Sequence, residues 1–338
     1  MPFTLPVGKL PLDLLEQLLA QTPVQDPRIL LGPGIGLDCA VLDLGATLLV
    51  LKSDPITFAT DEIGWYAVQV NANDIATTGA LPRWLMTTLL LPEGNTTPEM
   101  VAKIHADLHE TCQQIGVSII GGHTEITYDL DRPILVGTMI GEVDPKKLVT
   151  PRGACPGDRI LLTKGVPIEA TAILAREFNK QLRTHLSPEE IEQASAFLYN
   201  PGISILKDAQ IALKAGKVTA MHDPTEGGLS SAMWELAHAS NCSLTIDPQA
   251  VFIPPLSMRI CQVFNLNPLA AIASGALLLT APVQHAGVIR RALESEGISC
   301  QEIGVVEAGL PTVFQITDSG RQILPLPARD EIARLFEQ

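Results

Sequence analysis

Apolar residues along this chain recur at helical spacing in some blocks and form short unbroken runs in others. In "LPLDLLEQLLA" (10–20), Leu14, Leu15, Leu18 and Leu19 share one face, which predicts an amphipathic helix. "GPGIGLDCAVL" (32–42) reads as a glycine-rich loop entering a strand, and "TLLVLKSD" (47–54) as a buried strand that stops at Lys52, Ser53 and Asp54. "DEIGWYAVQVNANDIATTGA" (61–80) has helical spacing and a stop at Gly79, and Thr97-Pro98-Glu99 opens a helix whose stripe is Val101, Ile104, Leu108 and Cys112. "GVSIIGGHTEIT" and "PILVGTMIGEV" look like strands. Beyond a turn-rich junction, "DPKKLVTPRGACPGD", come the strand "DRILLT", a helix over 166–177, a helix from about Gly227 and the strand "GALLLTA".

Alternation of strands and helices predicts an α/β (α+β) protein. With 338 residues and the junction near 150, two domains are expected, 1–148 and 149–338. A net charge of −14 argues against nucleic acid, whose backbone requires a basic face. Six scattered cysteines form no C-x-x-C pair and read as reduced core residues. No apolar run approaches the roughly 20 residues needed to span a bilayer, and no basic leader precedes an apolar stretch, so a soluble cytoplasmic protein without membrane contact is expected.

Candidate chemistry begins at "HDPTEGGL" (222–229), where Asp223, Thr225, Glu226, Gly227 and Gly228 precede a helix with Leu229, Ala232, Met233, Leu236, Ala237 and Ser240 on its core face. Amides at such a start can hold an anion, and nearby carboxylates a cation bridging to phosphate; the same residues are also ordinary caps. Continuing the stripe Ile63, Ala67, Val70 reaches Asp74, beside Asn73, where a carboxylate needs a partner or a metal. Asp38 past the glycine loop and Asp54 at a strand end add acids of the kind a magnesium–nucleotide site uses. Gly121, Gly122, His123 and Glu125 offer close backbone approach, an imidazole and a carboxylate, and Lys164 could pair with phosphate. Dinucleotide and Walker fingerprints and the hydrolase elbow are missing.

In order, "LDCAVL", "KSDPIT", "NANDIATTGALP", "IIGGHTE", "PGDRILLTKG", "HDPTEGGLSSA" and "SGALLL" resemble the superfamily of aminoimidazole ribonucleotide synthetase (PurM), selenophosphate synthetase, thiamine-monophosphate kinase and the hydrogenase maturation protein HypE. The second half looks closest to HypE-like proteins. The resemblance implies a two-domain PurM-like fold, with N-terminal strands joining a partner's in a barrel at a homodimer interface. It also implies ATP bound through magnesium, with manganese as an alternative, and activation of an oxygen by phosphorylation. Asp38, Asp54 and Asp74 match acidic metal or nucleotide positions, and Asp223 a metal-binding Asp. Asn73, Gly121, Gly122, His123, Thr225, Gly227 and Gly228 fall to the nucleotide, Glu226 to a general base and Lys164 to an extra cation.

Three departures stand out. Leu37 precedes Asp38 where relatives often have a second acid, and His123 follows the glycine pair where they often have one. The sequence ends "DEIARLFEQ" with Cys300 as its last cysteine, whereas HypE ends in a cysteine that accepts a carbamoyl group. The leading expectation is ATP-dependent phosphoryl transfer to a small molecule. The alternatives are a HypE-like factor acting with a maturation-protein partner and a non-catalytic nucleotide-binding regulator.

Overall fold

A computed structural model describes residues 5, 10–56 and 61–336. They divide into two compact units, one within Val24–Pro33 and Asp38–Leu148, the other within Met1–Pro23, Gly34–Leu37 and Val149–Gln338. The division after Leu148 lies at the turn-rich junction, but two segments from the first part of the chain group with the later unit. Helix α1 (Leu12–Leu19) belongs to that unit; Leu14, Leu15 and Leu19 are half-buried, while Leu18, expected on the same apolar face, is exposed.

The first unit is an open six-stranded sheet in the order β1 (Ile29–Leu31), β2 (Ala40–Asp43), β3 (Leu48–Ile56), β6 (Ile134–Val143), β4 (Leu81–Pro92), β5 (Ser118–Thr127). Neighbours are antiparallel except β4 and β5, which a right-sized crossover through α3 (Pro98–Ile115) allows to run parallel. Thr97 caps α3 by accepting the Met100 N–H at 3.2 Å, as its sequence predicts.

Strand β6 alternates strictly, and Leu135, Met139 and Val143 on its inner face are buried. Helix α2 (Ile63–Thr77) covers that face and packs on β3 and α3. A side chain at Gly141 would collide with Ile75, so its absence lets α2 lie close to the sheet. Strand β3 runs on to Ile56 rather than stopping at Lys52–Asp54, because Ser53, Asp54 and Pro55 stay in register with Thr138, Gly137 and Val136.

The second unit holds a seven-stranded sheet, β13 (Gly320–Ile323), β12 (Thr312–Thr317), β9 (Ser243–Ile246), β11 (Cys300–Glu307), β7 (Arg159–Thr163), β10 (Leu278–Ala281), β8 (Ala220–His222). Every residue of β8, β9 and β10 is buried, including the polar His222, Ser243, Thr245 and Thr280. Besides α1, its helices are α4 (Ile168–Glu177), α5 (Asn179–Leu182), α6 (Pro188–Ser195), α7 (Leu206–Ala215), α8 (Gly228–Ser240), α9 (Pro255–Val263) and α10 (Val283–Ser295). Leu229, Met233 and Leu236 of α8 enter one core with Ile160, Leu162 and Leu244. Ile173 and Leu174 of α4 enter another with Ile191 and Ile260. No helix among the described residues is long and apolar enough to cross a membrane.

Candidate functional site

Three of the acids singled out in the sequence converge within the first unit. Strand alternation puts Lys52 and Asp54 on the β3 face covered by α2, while Ser53 and Pro55 point outward and are exposed. Asp74, in the last turn of α2, is 2% exposed and faces them. Asp38 lies two residues before β2, and the neighbouring Cys39 thiol donates to the Asp74 carbonyl at 3.3 Å, tying the loop to the helix.

The group at the centre was not anticipated. Lys52 Nζ stands 3.0 Å from Asp74 Oδ2, 3.8 Å from Asp54 Oδ2 and 4.0 Å from Asp38 Oδ1. Burial would push this ammonium down, but Asp74 first, then Asp38 and Asp54, outweigh it and hold the lysine well above its ordinary value. Lys52 is therefore charged throughout the working pH range. Period-2 spacing in "KSD" was the signal that could have paired it with Asp54. Asn73, adjacent to Asp74, is fully buried within α2.

The donor set suits a hard divalent cation in kind, since all three acids offer oxygen. One ammonium against three carboxylates leaves the cluster with a net negative charge for such an ion to neutralise.

The "GGHTE" motif runs within a strand, as the pattern of "GVSIIGGHTEIT" suggests. Gly121, Gly122, His123 and Glu125 lie inside β5, the sheet's edge, where nearly every residue is exposed. His123 Nε2 sits 3.3 Å from Glu125 Oε2.

In the second unit, the start of α8 is built as the sequence suggests but with its amides engaged. Gly227 and Gly228 both have positive φ (77° and 60°), and a side chain at Gly228 would meet the carbonyls of Ala271 and Leu269. Three of the N–H groups at this start are engaged. Gly227 N–H donates to Asp330 Oδ2 at 2.7 Å, Gly228 N–H to the Thr225 carbonyl at 2.9 Å, and Ser230 N–H to the Leu269 carbonyl at 2.8 Å. A protein carboxylate thus already holds part of the position that helix-terminal charge offers to an anion.

Around that start the structure groups acids that sequence reasoning missed. Glu169, in the first turn of α4, is buried and pushed up to about 7, by desolvation first and then by Asp330 and Glu226 against the help of Ser274. Asp330 is pushed up to about 6 by burial, despite the Gly227 and Ile332 amides, with Glu226 and Glu331 adding to the rise. Glu226 and Thr225 are half-buried, and Asp223 is 1% exposed. The adjoining His222 is buried at the end of β8, its Nε2 3.0 Å from Glu235 Oε2 and its Nδ1 3.0 Å from the Asp223 carbonyl.

Lys164 is not a solvated phosphate ligand in this structure. Its side chain is buried, with Nζ 3.3 Å from Asp208 Oδ2 and donating to the Ser204 carbonyl at 2.6 Å, and burial lowers its pKa despite Asp208.

The AIR synthase related protein family matches through its N-terminal domain over residues 36–143 and its C-terminal domain over 155–316. A putative hydrogenase expression/formation protein of Methanocaldococcus jannaschii is 29% identical over 318 residues, 89% of this chain and 90% of that protein. The carbamoyl dehydratase HypE of Rhodobacter capsulatus is 25% identical over 338 residues, 97% and 95% of the two chains. Among solved structures, a chain of a HypE–HypF complex aligns with a TM-score of 0.74 at 20% identity, covering 93% of this chain and 99% of that one. Hydrogenase maturation protein HypE in complex with ATP aligns at 0.68 and 25% identity, covering 88% and 90%.

Proposed function

The chain belongs to the AIR synthase related proteins, with the PurM-like two-domain fold, and from that premise we propose that it uses ATP with magnesium or manganese to phosphorylate an acceptor oxygen. The observation that carries the reading is the convergence of Asp38, Asp54 and Asp74. A bound divalent ion would neutralise the charge of the transferring phosphoryl group. Asp38 and Asp54, both half-buried, are the residues to hold it. Phosphoryl transfer needs positioning and charge neutralisation more than a nucleophilic side chain, which suits this donor set. Glu226, set among other acids, is the candidate proton acceptor for the attacking hydroxyl.

A second reading, in which the acceptor is presented by a hydrogenase-maturation partner, is favoured by the full-length likeness to HypE. Cys300 is not an acceptor thiol in either reading: it is buried in β11 and burial pushes it up to about 12. The acceptor is proposed to lie on another molecule. A homodimer is proposed through β5, whose exposed edge carries Ile119, Ile120 and Ile126.

Product analysis decides among these. ADP formed only with an added small acceptor supports the kinase reading, and ADP plus phosphate dependent on a carbamoylated partner supports the maturation reading. The proposal fails if the protein binds no ATP with either metal and Asp74→Asn and Asp223→Asn change nothing. Nucleotide binding without turnover across acceptors and metals would make it a regulator instead.

A further inference from the structure

The acids on which the metal reading rests already surround a cation. The Lys52 ammonium lies closest to Asp74, the most deeply buried of the three, whereas Asp38 and Asp54 are half-buried and more distant from it. A divalent ion binds carboxylate oxygen at roughly 2.0–2.6 Å, so an ion on Asp74 Oδ2 would have to share that oxygen with an ammonium 3.0 Å away. Like charges at such separations repel strongly in a poorly solvated site. Lys52 also has little freedom to leave: its side chain is 13% exposed, and moving it would take an ammonium 3.0 Å away from a buried Asp74 carboxylate.

We propose that Lys52 is a resident counter-ion that sets the metal capacity of this cluster. It reserves Asp74 for itself and leaves Asp38 and Asp54 as the acids open to a divalent ion. The cluster then takes one ion fewer than it would with a neutral residue at position 52. The inference rests on the metal–ATP reading for its functional meaning, but it concerns metal load and is measured without nucleotide.

Manganese is titrated into the full chain, with bound ion counted by the loss of free Mn2+ signal in electron paramagnetic resonance. K52M and K52T are expected to bind one additional Mn2+ per chain, or to bind Mn2+ at least tenfold more tightly than wild type. K52R should match wild type, and K52M/D74N should fall back toward it because the released carboxylate is gone. Circular dichroism and thermal melts establish that each variant is folded. A folded K52M or K52T with unchanged stoichiometry and affinity overturns the inference, as does a gain in K52R. A second measurement needs no variant: anomalous scattering from Mn2+-soaked wild-type crystals should show at most one ion at the cluster, on Asp38 and Asp54. An ion ligated by Asp74 in that map refutes the assignment. Failure of the ATP reading appears separately, as absent binding of a non-hydrolysable ATP analogue to wild type, and leaves the Mn2+ comparison intact.

Discussion

Replacing Glu169 by glutamine should stabilise the second unit at neutral and alkaline pH while changing little near pH 4.5. Glu169 is 5% exposed, and its carboxyl is moved from 4.5 to about 7, chiefly by desolvation. Between those values the folded chain binds a proton that the unfolded chain has released, so stability falls as pH rises from about 4.5 to about 7 and is level above. A shift of this size corresponds to roughly 3 kcal/mol of destabilisation carried by the native protein above pH 7. Asp330 acts with the same sign between 3.8 and about 6, and because both acids face Glu226 their effects overlap rather than add. The amide of E169Q keeps the shape and a bond to Ser274 without the charge. Urea unfolding of wild type and E169Q at pH 5, 6, 7 and 8 would measure the difference, in which titrating groups not coupled to Glu169 cancel. E169Q should gain about 1–3 kcal/mol at pH 8, and the gain should shrink steadily toward pH 5. A difference that is the same at pH 5 and pH 8 would refute the reasoning, since it would mean that Glu169 keeps the same protonation state in the folded and unfolded chains.

Other outcomes follow from single contacts. Gly228→Ala combines a positive φ with collision against two carbonyls and should cost about 2–4 kcal/mol in thermal or chemical melts. Leu236→Ala empties part of the core under α8 and should cost roughly 2–5 kcal/mol in the same assay. Ile120→Lys together with Ile126→Lys on exposed β5 should leave the melting temperature nearly unchanged but shift sedimentation from dimer to monomer; an unshifted dimer removes β5 from the interface. Native protein should react with about one equivalent of a disulfide reagent, at exposed Cys155, because the other five cysteines are buried. Rapid labelling of Cys300 would contradict its placement in β11.

What the sequence revealed and what it hid divide by the range of the interaction. Capping at Thr97, the buried stripe of α8 and the strand β10 are local consequences of residue type and spacing, and each was legible. Asp74 was legible as an anomaly because an acid stood where α2 required an apolar residue. Its partner was not, because ending β3 at Lys52 discarded the alternation that places Lys52 and Asp54 on one face. Ladder pairing with β6 carries the strand to Ile56, and that pairing is a property of residues some eighty positions away. The start of α8 shows the same limit from the other side. Local chemistry predicted amides available to an anion, yet a carboxylate 103 residues further on, Asp330, accepts one of them. Asp330 is buried and raised, as is Glu169, so this helix start is surrounded by acids whose charge is costly to keep. A phosphate arriving there would meet protein carboxylates already competing for the same positive end of the helix. On the proposed metal–ATP reading, nucleotide binding at this end of the molecule would draw on cations that neutralise acids as well as on glycine amides. That argument makes the metal content of the complex, more than the glycine pair itself, the quantity to measure first.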